Sequence, residues 1–257
     1  MNKIINRIDL KGTFCAVFLL TLATANAQDT VLNKYGLWVI ENAAELQKTI
    51  HDNPNKEMTD LKKKIPNLVM DLRYVGSNNF MHQILYPFTA TSYLRKPAVD
   101  SLLIIQKILN QSGLALKIFD AYRPYSVTEK MWELVHDDLY TADPKNGSGH
   151  NRGAAVDLTL VNLATSLELN MGTGYDNFSD TAHHAFTNLP EEVLQNRLLL
   201  KKIMELHGFK AFDTEWWHYS LSNTKEYELM NVSFKALAKK RPTKNNKPIN
   251  HANRTIN

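Results

Sequence analysis

Three short stretches of this chain combine residue types that chemistry needs in places where a plain core or surface would not hold them. In Ser148-Gly149-His150-Asn151-Arg152-Gly153-Ala154-Ala155-Val156-Asp157, a histidine sits in a glycine-rich loop and an aspartate follows in an apolar run. Asp157 is flanked by Ala155, Val156 and Leu158. Burying it unpaired would cost several kcal/mol, so it needs a cation or several donors. In Glu215-Trp216-Trp217-His218, an acid and an imidazole bracket two large aromatics. Asp120-Ala121-Tyr122-Arg123-Pro124 places an arginine at the C-terminal end of an expected strand.

Zinc suits this inventory, because two imidazoles and one carboxylate form a normal catalytic ligand set with a fourth position open to water. A neighbouring glutamate that does not bind the ion can take a proton from water whose pKa has fallen to near ~7. Arg123, its planar fork held by Asp120, suits the oxyanion that develops on an attacked carbonyl. These are the parts of a metal-assisted amide hydrolysis. Taken singly, each has a plainer reading: polar surface for His150, a salt-bridged core acid for Asp157, strand residues for Glu215 and Trp217. His183-His184 and His207 compete as ligands, and spacing alone leaves the choice open. Glu215 and His218 are three apart, so in an ideal strand they face opposite sides. The reading requires Glu215 at a strand entrance, or a bulge that re-aims it.

The elements that must position these residues are partly legible. Pro97 to Ser112 has helical apolar spacing (Val99, Leu102, Leu103, Ile105, Leu109, with Gln106 among them) and stops at Gly113. Leu114 to Phe119 alternates as a strand. Ser126-Val127-Thr128-Glu129 has the form of a capping box opening a helix through about Leu139. Gly153 to Leu160 reads as a strand carrying Asp157, and Glu191 to His207 as a helix ended by Gly208. Phe209 to Leu221 reads as strand, turn, strand. Regular βαβ alternation is missing, so the expected class is α+β: one domain with a small, mainly antiparallel sheet and flanking helices.

Composition bounds the function. The 257 residues are 44% apolar and 22% charged, with ten Gly and nine Pro, which excludes a disordered or low-complexity chain. A single cysteine, Cys15, excludes a disulfide framework and a Cys-rich metal site. Lys3, Arg7 and Lys11, the apolar run Phe14–Leu22 and Ala25-Asn26-Ala27 read as an export signal. That run is about half of the ~20 residues a spanning helix needs. Cleavage after Ala27 leaves 230 residues without cysteine. Residues 239–257 carry six basic residues and no acid, and read as a solvated tail. The leader holds a net +2 and the tail +6 of the chain's +4, so residues 28–238 carry −4. A mildly acidic body is a poor nucleic-acid binder.

The ordered motifs resemble the D-alanyl-D-alanine dipeptidases, the family that includes the vancomycin-resistance dipeptidase. They are Asp71-Leu72-Arg73-Tyr74 with Asn79-Phe80, Asp120 to Pro124, Ser148 to Leu160, Met171-Gly172-Thr173-Gly174-Tyr175-Asp176, Ala182-His183-His184, Asn196-Arg197, and Gly208-Phe209 through Glu215-Trp216-Trp217-His218-Tyr219. The resemblance implies a zinc D,D-peptidase fold, as in other hedgehog/D-Ala-D-Ala peptidase-like proteins. It implies one zinc per chain on His150, Asp157 and His218, with Glu215 as general base and acid. Arg123 would stabilise the transition state, backed by Asp120. Asp176 would hold the substrate's free ammonium, while Ser148 and Tyr74 line the substrate site. His183 and His184 fall in a motif that the family does not use for zinc. The match weakens between Met81 and Lys96, where other members supply pocket residues.

The implied reaction is hydrolysis of D-Ala-D-Ala to D-alanine, with a small dipeptide as the partner. Its rivals are a D,D-carboxypeptidase acting on muropeptide stems and a non-catalytic peptidoglycan-binding module. The leader predicts an exported protein, periplasmic or secreted and not inserted in the membrane after cleavage. That location suits wall turnover or D-alanine salvage better than resistance, because resistance requires the dipeptide to be destroyed in the cytoplasm.

Overall fold

The computed structural model describes residues 31–138 and 140–239. Every element below belongs to the unit that begins at Leu32. The expected export signal, the tail beyond Lys239, and the expected helix end at Leu139 lie outside the described residues.

The strands are β1 (Val39–Ile40), β2 (Met58–Asp60), β3 (Val69–Met70), β4 (Tyr93–Arg95), β5 (Leu114–Asp120), β6 (Ala155–Asn162), β7 (Phe209–Phe212), β8 (Glu215–Leu221) and β9 (Leu229–Met230). The helices are α1 (Ala43–Asp52), α2 (Leu61–Lys64), α3 (Lys96–Gln111), α4 (Tyr125–Leu134), α5 (Glu191–Leu206) and α6 (Phe234–Ala238). A five-stranded sheet runs in the order β3-β5-β6-β8-β7, antiparallel except for the parallel pair β3 and β5. Two-stranded pairs β1-β9 and β2-β4 complete an α+β fold with a mainly antiparallel sheet, as the sequence predicts.

Helix α3 forms because Pro97 sits in its first turn, where no hydrogen bond is lost, and Val99, Leu102, Ile105 and Leu109 bury one face. Gln106 is buried on that face without penalty, since its Oε1 accepts the Leu116 amide at 2.9 Å. Gly113 then adopts φ +70°, a left-handed stop. Strand β6 is buried on both faces from Ala155 to Val161, and each large apolar side chain so buried stabilises the fold by ~1.5–3 kcal/mol. This apolar setting is what makes Asp157 so exacting about its partners.

One local expectation fails. Ser126 and Glu129 do not form a capping box: α4 begins at Tyr125 behind Pro124, without a side-chain cap. The Ser126 amide is taken by Asn231 Oδ1 at 3.1 Å and Glu129 pairs with Lys34 at 3.1 Å, so tertiary partners win over the local pair. The helix also stops at Leu134, where Val135 turns extended and its carbonyl accepts the Thr141 hydroxyl at 2.5 Å.

Two irregularities in the sheet position the site. Between β5 and β6 the register shifts after Ile118↔Leu158 so that Asp120 faces Asp157, and β8 continues the row with Asp157↔His218. Between β7 and β8 the register jumps from Ala211↔Tyr219 to Phe212↔Glu215. Glu215 is therefore both the entrance residue of β8 and the far side of a bulge, which lets it join the face of His218. The loop bearing His150 is fixed from beneath by the fully buried Arg95. Its Nε donates to the Arg152 carbonyl at 2.8 Å, and its amide donates to the Gly153 carbonyl at 2.8 Å. Gly153 itself has φ +65°, and a Cβ there would stand 2.7 Å from Met58 Cε.

Candidate metal centre and cleft

The sheet row and the loop bring three donors together. His218 Nδ1 lies 2.9 Å from Asp157 Oδ1, His150 Nε2 lies 3.4 Å from the same oxygen, and the two ring nitrogens are 3.2 Å apart. With zinc–donor bonds of about 2.0–2.2 Å, adjacent corners of a tetrahedron are about 3.3–3.6 Å apart, so this triangle fits the ion. Among the described residues, this is the one group of three His, Cys, Asp or Glu side chains close enough to share a metal.

The tautomers agree with that role. His150 Nδ1 lies 2.7 Å from the Ala121 carbonyl, which can only accept, so Nδ1 carries the proton and Nε2 offers its lone pair to the cluster. His218 turns its Nε2 to Ser220 Oγ at 3.1 Å and its Nδ1 inward. Asp157 Oδ2 accepts the Tyr175 hydroxyl at 3.0 Å. Burial alone would raise the Asp157 pKa, but the imidazoles of His150 and His218 prevail and hold it well below the usual carboxylate range.

Glu215 borders this triangle, with Oε2 3.8 Å from His218 Nδ1. Burial, with the charge of Asp157 added, pushes its pKa up to about 7 against the opposing pull of His218 and Arg123. A carboxyl poised there can both accept and return a proton near neutrality. Arg123 faces the same space. Its Nε and Nη2 each lie 2.9 Å from Asp120 Oδ2, and its guanidinium stacks over the Tyr74 ring at 5.3 Å. Asp120 is fully buried and also accepts the Tyr86 hydroxyl at 2.7 Å and the Ala121 amide at 2.9 Å, so the fork is held rigidly.

The cleft, about 280 Å³, is lined by Arg123, Ser148, Asp176, Glu215 and His218 with Tyr74 among others. Asp176 adopts φ +58° and receives the Tyr74 hydroxyl at 3.3 Å. Burial, with the charges of Asp157 and Glu215 added, raises its pKa well above the carboxylate range, so the ionised form of this carboxyl is favoured only by a cation close to it. Ser148 Oγ accepts the His150 amide at 3.2 Å, a bond that orders the loop on the cleft side of His150.

Every site residue expected from the sequence is gathered at this cleft, Asp120 from behind Arg123. The competing histidines are elsewhere: His207 caps the end of α5 on the Ile203 carbonyl, and His183 faces Asp180. Sequence reasoning missed two tyrosines. Tyr175 lies inside the motif that supplied Asp176, so its place beside that acid was the available signal. Tyr86 falls in the weakly matching stretch and had none.

Residues 54–238 match the peptidase M15 family, described as D-ala-D-ala dipeptidase. A D-alanyl-D-alanine dipeptidase of Escherichia coli K12 is 35% identical over 178 residues, 69% of this chain and 91% of that protein. One from Streptomyces coelicolor is 31% identical over 59% of this chain and 84% of its own length. One from Enterococcus faecalis is 32% identical over 42% of this chain and 63% of its own. A solved structure described as VanYB in complex with D-Alanine-D-Alanine aligns with TM-score 0.35 and 13% identity, over 53% of this chain and 75% of that one. On the family match and these identities, the chain belongs to the M15 D-ala-D-ala dipeptidase family of metallopeptidases.

Proposed function

We propose that this protein hydrolyses D-Ala-D-Ala to two D-alanines, with one zinc held by His150, Asp157 and His218. Zinc, when bound, polarises the scissile carbonyl and acidifies water. The chain's own residues supply the rest. Glu215 takes the proton of the attacking water and returns it to the departing amine. Arg123, already braced by Asp120, neutralises the oxygen on which negative charge develops. Asp176 pairs with the free ammonium of the dipeptide, which restores its ionised form, while Ser148 and Tyr74 border the bound substrate.

The observation that carries this reading is the placement of Asp176 and Arg123 in one small cleft with the three donors. A buried carboxylate that must find a cation discriminates strongly against a chain whose amine is blocked. This favours a dipeptidase over a carboxypeptidase that trims muropeptide stems, and a raised Glu215 has no use in a module that only binds. The purified protein is expected to release D-alanine from D-Ala-D-Ala and to leave N-acetyl-D-Ala-D-Ala and stem pentapeptide nearly untouched. Faster cleavage of the stem than of the dipeptide would overturn the assignment.

The reading extends to location. Ala25-Asn26-Ala27 after a short apolar run supports export, and an exported enzyme of this kind serves wall turnover or D-alanine salvage. No helix among the described residues is long and apolar enough to cross a membrane. Finding the uncleaved chain in the cytosol after cell fractionation would contradict export.

A further inference from the structure

Arg197 is buried in α5 with 5% of its surface exposed, and among the described residues no carboxylate pairs with it. Its guanidinium is spent on backbone carbonyls. Nε donates to Met171 at 2.8 Å, Nη2 to Thr181 at 2.9 Å and Nη1 to His183 at 3.3 Å. The preceding Asn196 adds a bond from Nδ2 to the Asn170 carbonyl at 3.0 Å. All four acceptors belong to the two ends of one loop, residues 170–183, and the loop carries Tyr175 and Asp176 at its middle. Gly172 shows how closely that loop lies on the helix: with φ +80°, a Cβ there would come within 2.9 Å of Val193 Cγ1. The far end is anchored again where the His184 amide donates to the Asp213 carbonyl at 2.9 Å, in the turn just before Glu215.

A planar fork can satisfy three carbonyls at once, whereas a lysine offers a single point of charge on a flexible stem. A buried charge is costly to keep without a carboxylate, so its placement at both ends of this loop calls for a reason. Asp176 meanwhile holds a left-handed φ, which a non-glycine residue keeps only when its surroundings impose it.

We infer that Arg197 is a positioning residue, which staples both ends of the 170–183 loop to α5 and so sets where Asp176 meets the substrate's ammonium. The inference rests on the function proposed above. It adds that amine recognition depends on a guanidinium that touches neither substrate nor metal.

The test compares the zinc-loaded wild type, Arg197→Lys, Asp176→Ala and the double variant, with Arg197→Met as a harsher fifth protein. Arg197→Lys keeps the charge and the fold but cannot fork. It is expected to lower kcat/KM for D-Ala-D-Ala about tenfold or more, through KM rather than kcat. In the Asp176→Ala background the same change is expected to cost less than about twofold, the non-additivity of two residues acting through one contact. Amide hydrogen exchange in 170–183 should quicken in both Arg197 variants while α3 and β5 keep their protection. An equal loss in both backgrounds, or unchanged exchange in the loop, would overturn the proposal. If the wild type itself releases no D-alanine, the functional reading fails, and the exchange measurement then decides the staple alone.

Discussion

The Tyr175 hydroxyl stands 3.0 Å from Oδ2 of Asp157 and 3.1 Å from the hydroxyl of Tyr74, which in turn reaches Asp176 at 3.3 Å. Two phenols thus stand between the carboxylates of Asp157 and Asp176. Burial raises the pKa of both phenols well above 10, so each remains a donor at any working pH. Groups that orient a ligand from behind typically contribute 10–100-fold in affinity. Tyr175→Phe should therefore weaken zinc binding by about tenfold or more in a competition with a chelator, with the protein still folded. An unchanged zinc affinity would show the phenol to be mere packing.

Glu215 carries the proton transfers in this account. Glu215→Gln keeps shape and removes basicity, and should lower kcat by roughly 10²–10⁴ while zinc content stays at the wild-type level. In the wild type, activity should fall as pH drops through the range where Glu215 gains its proton. Turnover of Glu215→Gln within a few-fold of wild type would remove this group from the mechanism.

Arg123 owes its orientation to Asp120. Arg123→Ala should cost about 10²–10³ in kcat, the usual loss of a transition-state donor. Asp120→Asn is expected to lower kcat as well although it touches no substrate, because it removes the counter-charge 2.9 Å from the guanidinium and leaves only the more distant Asp157 at 3.9 Å. Equal kinetics for Asp120→Asn and wild type would mean that Arg123 needs no brace.

The raised Glu215 has a consequence for stability. In metal-free protein its pKa of about 7 exceeds the ordinary 4.5, so the folded state holds more protons than the unfolded chain between those values. Stability conferred by the protonated form is present below pH ~4.5 and is lost as pH rises toward ~7. The wild type's advantage over Glu215→Gln in urea midpoint, measured with chelator present, should shrink across that window. A difference that stays constant from pH 4.5 to 7 would contradict the burial of this group.

How far the sequence disclosed the site depended on where each signal lay. Helices α3 and α5 were readable because one apolar face repeats over four turns and Gly113 and Gly208 end them in left-handed conformations. Asp157 was readable because a charge inside an apolar strand demands an explanation. The opposition of Asp157 and His218 was not, since register between strands 61 residues apart leaves no local trace. Nor was the jump between β7 and β8 that turns Glu215 inward, although the spacing of Glu215 and His218 announced that something of the kind was needed. The capping box at Ser126 misled because Asn231 and Lys34, remote in sequence, claimed its groups. Arg95, buried to hold the His150 loop by backbone carbonyls, looked like any other surface arginine in the sequence.

The convergence of His150, Asp157 and His218 is the claim on which the rest stands, and metal analysis tests it most directly. Zinc would be quantified in purified wild type, His150→Ala, Asp157→Ala and His218→Ala after dialysis against a weak chelator, alongside D-alanine release. The account predicts about one zinc per wild-type chain, and for each variant a loss of zinc together with activity while the fold is kept. Variants that retain a full complement of zinc, or a wild type that cleaves D-Ala-D-Ala at full rate after its metal is stripped, would contradict it.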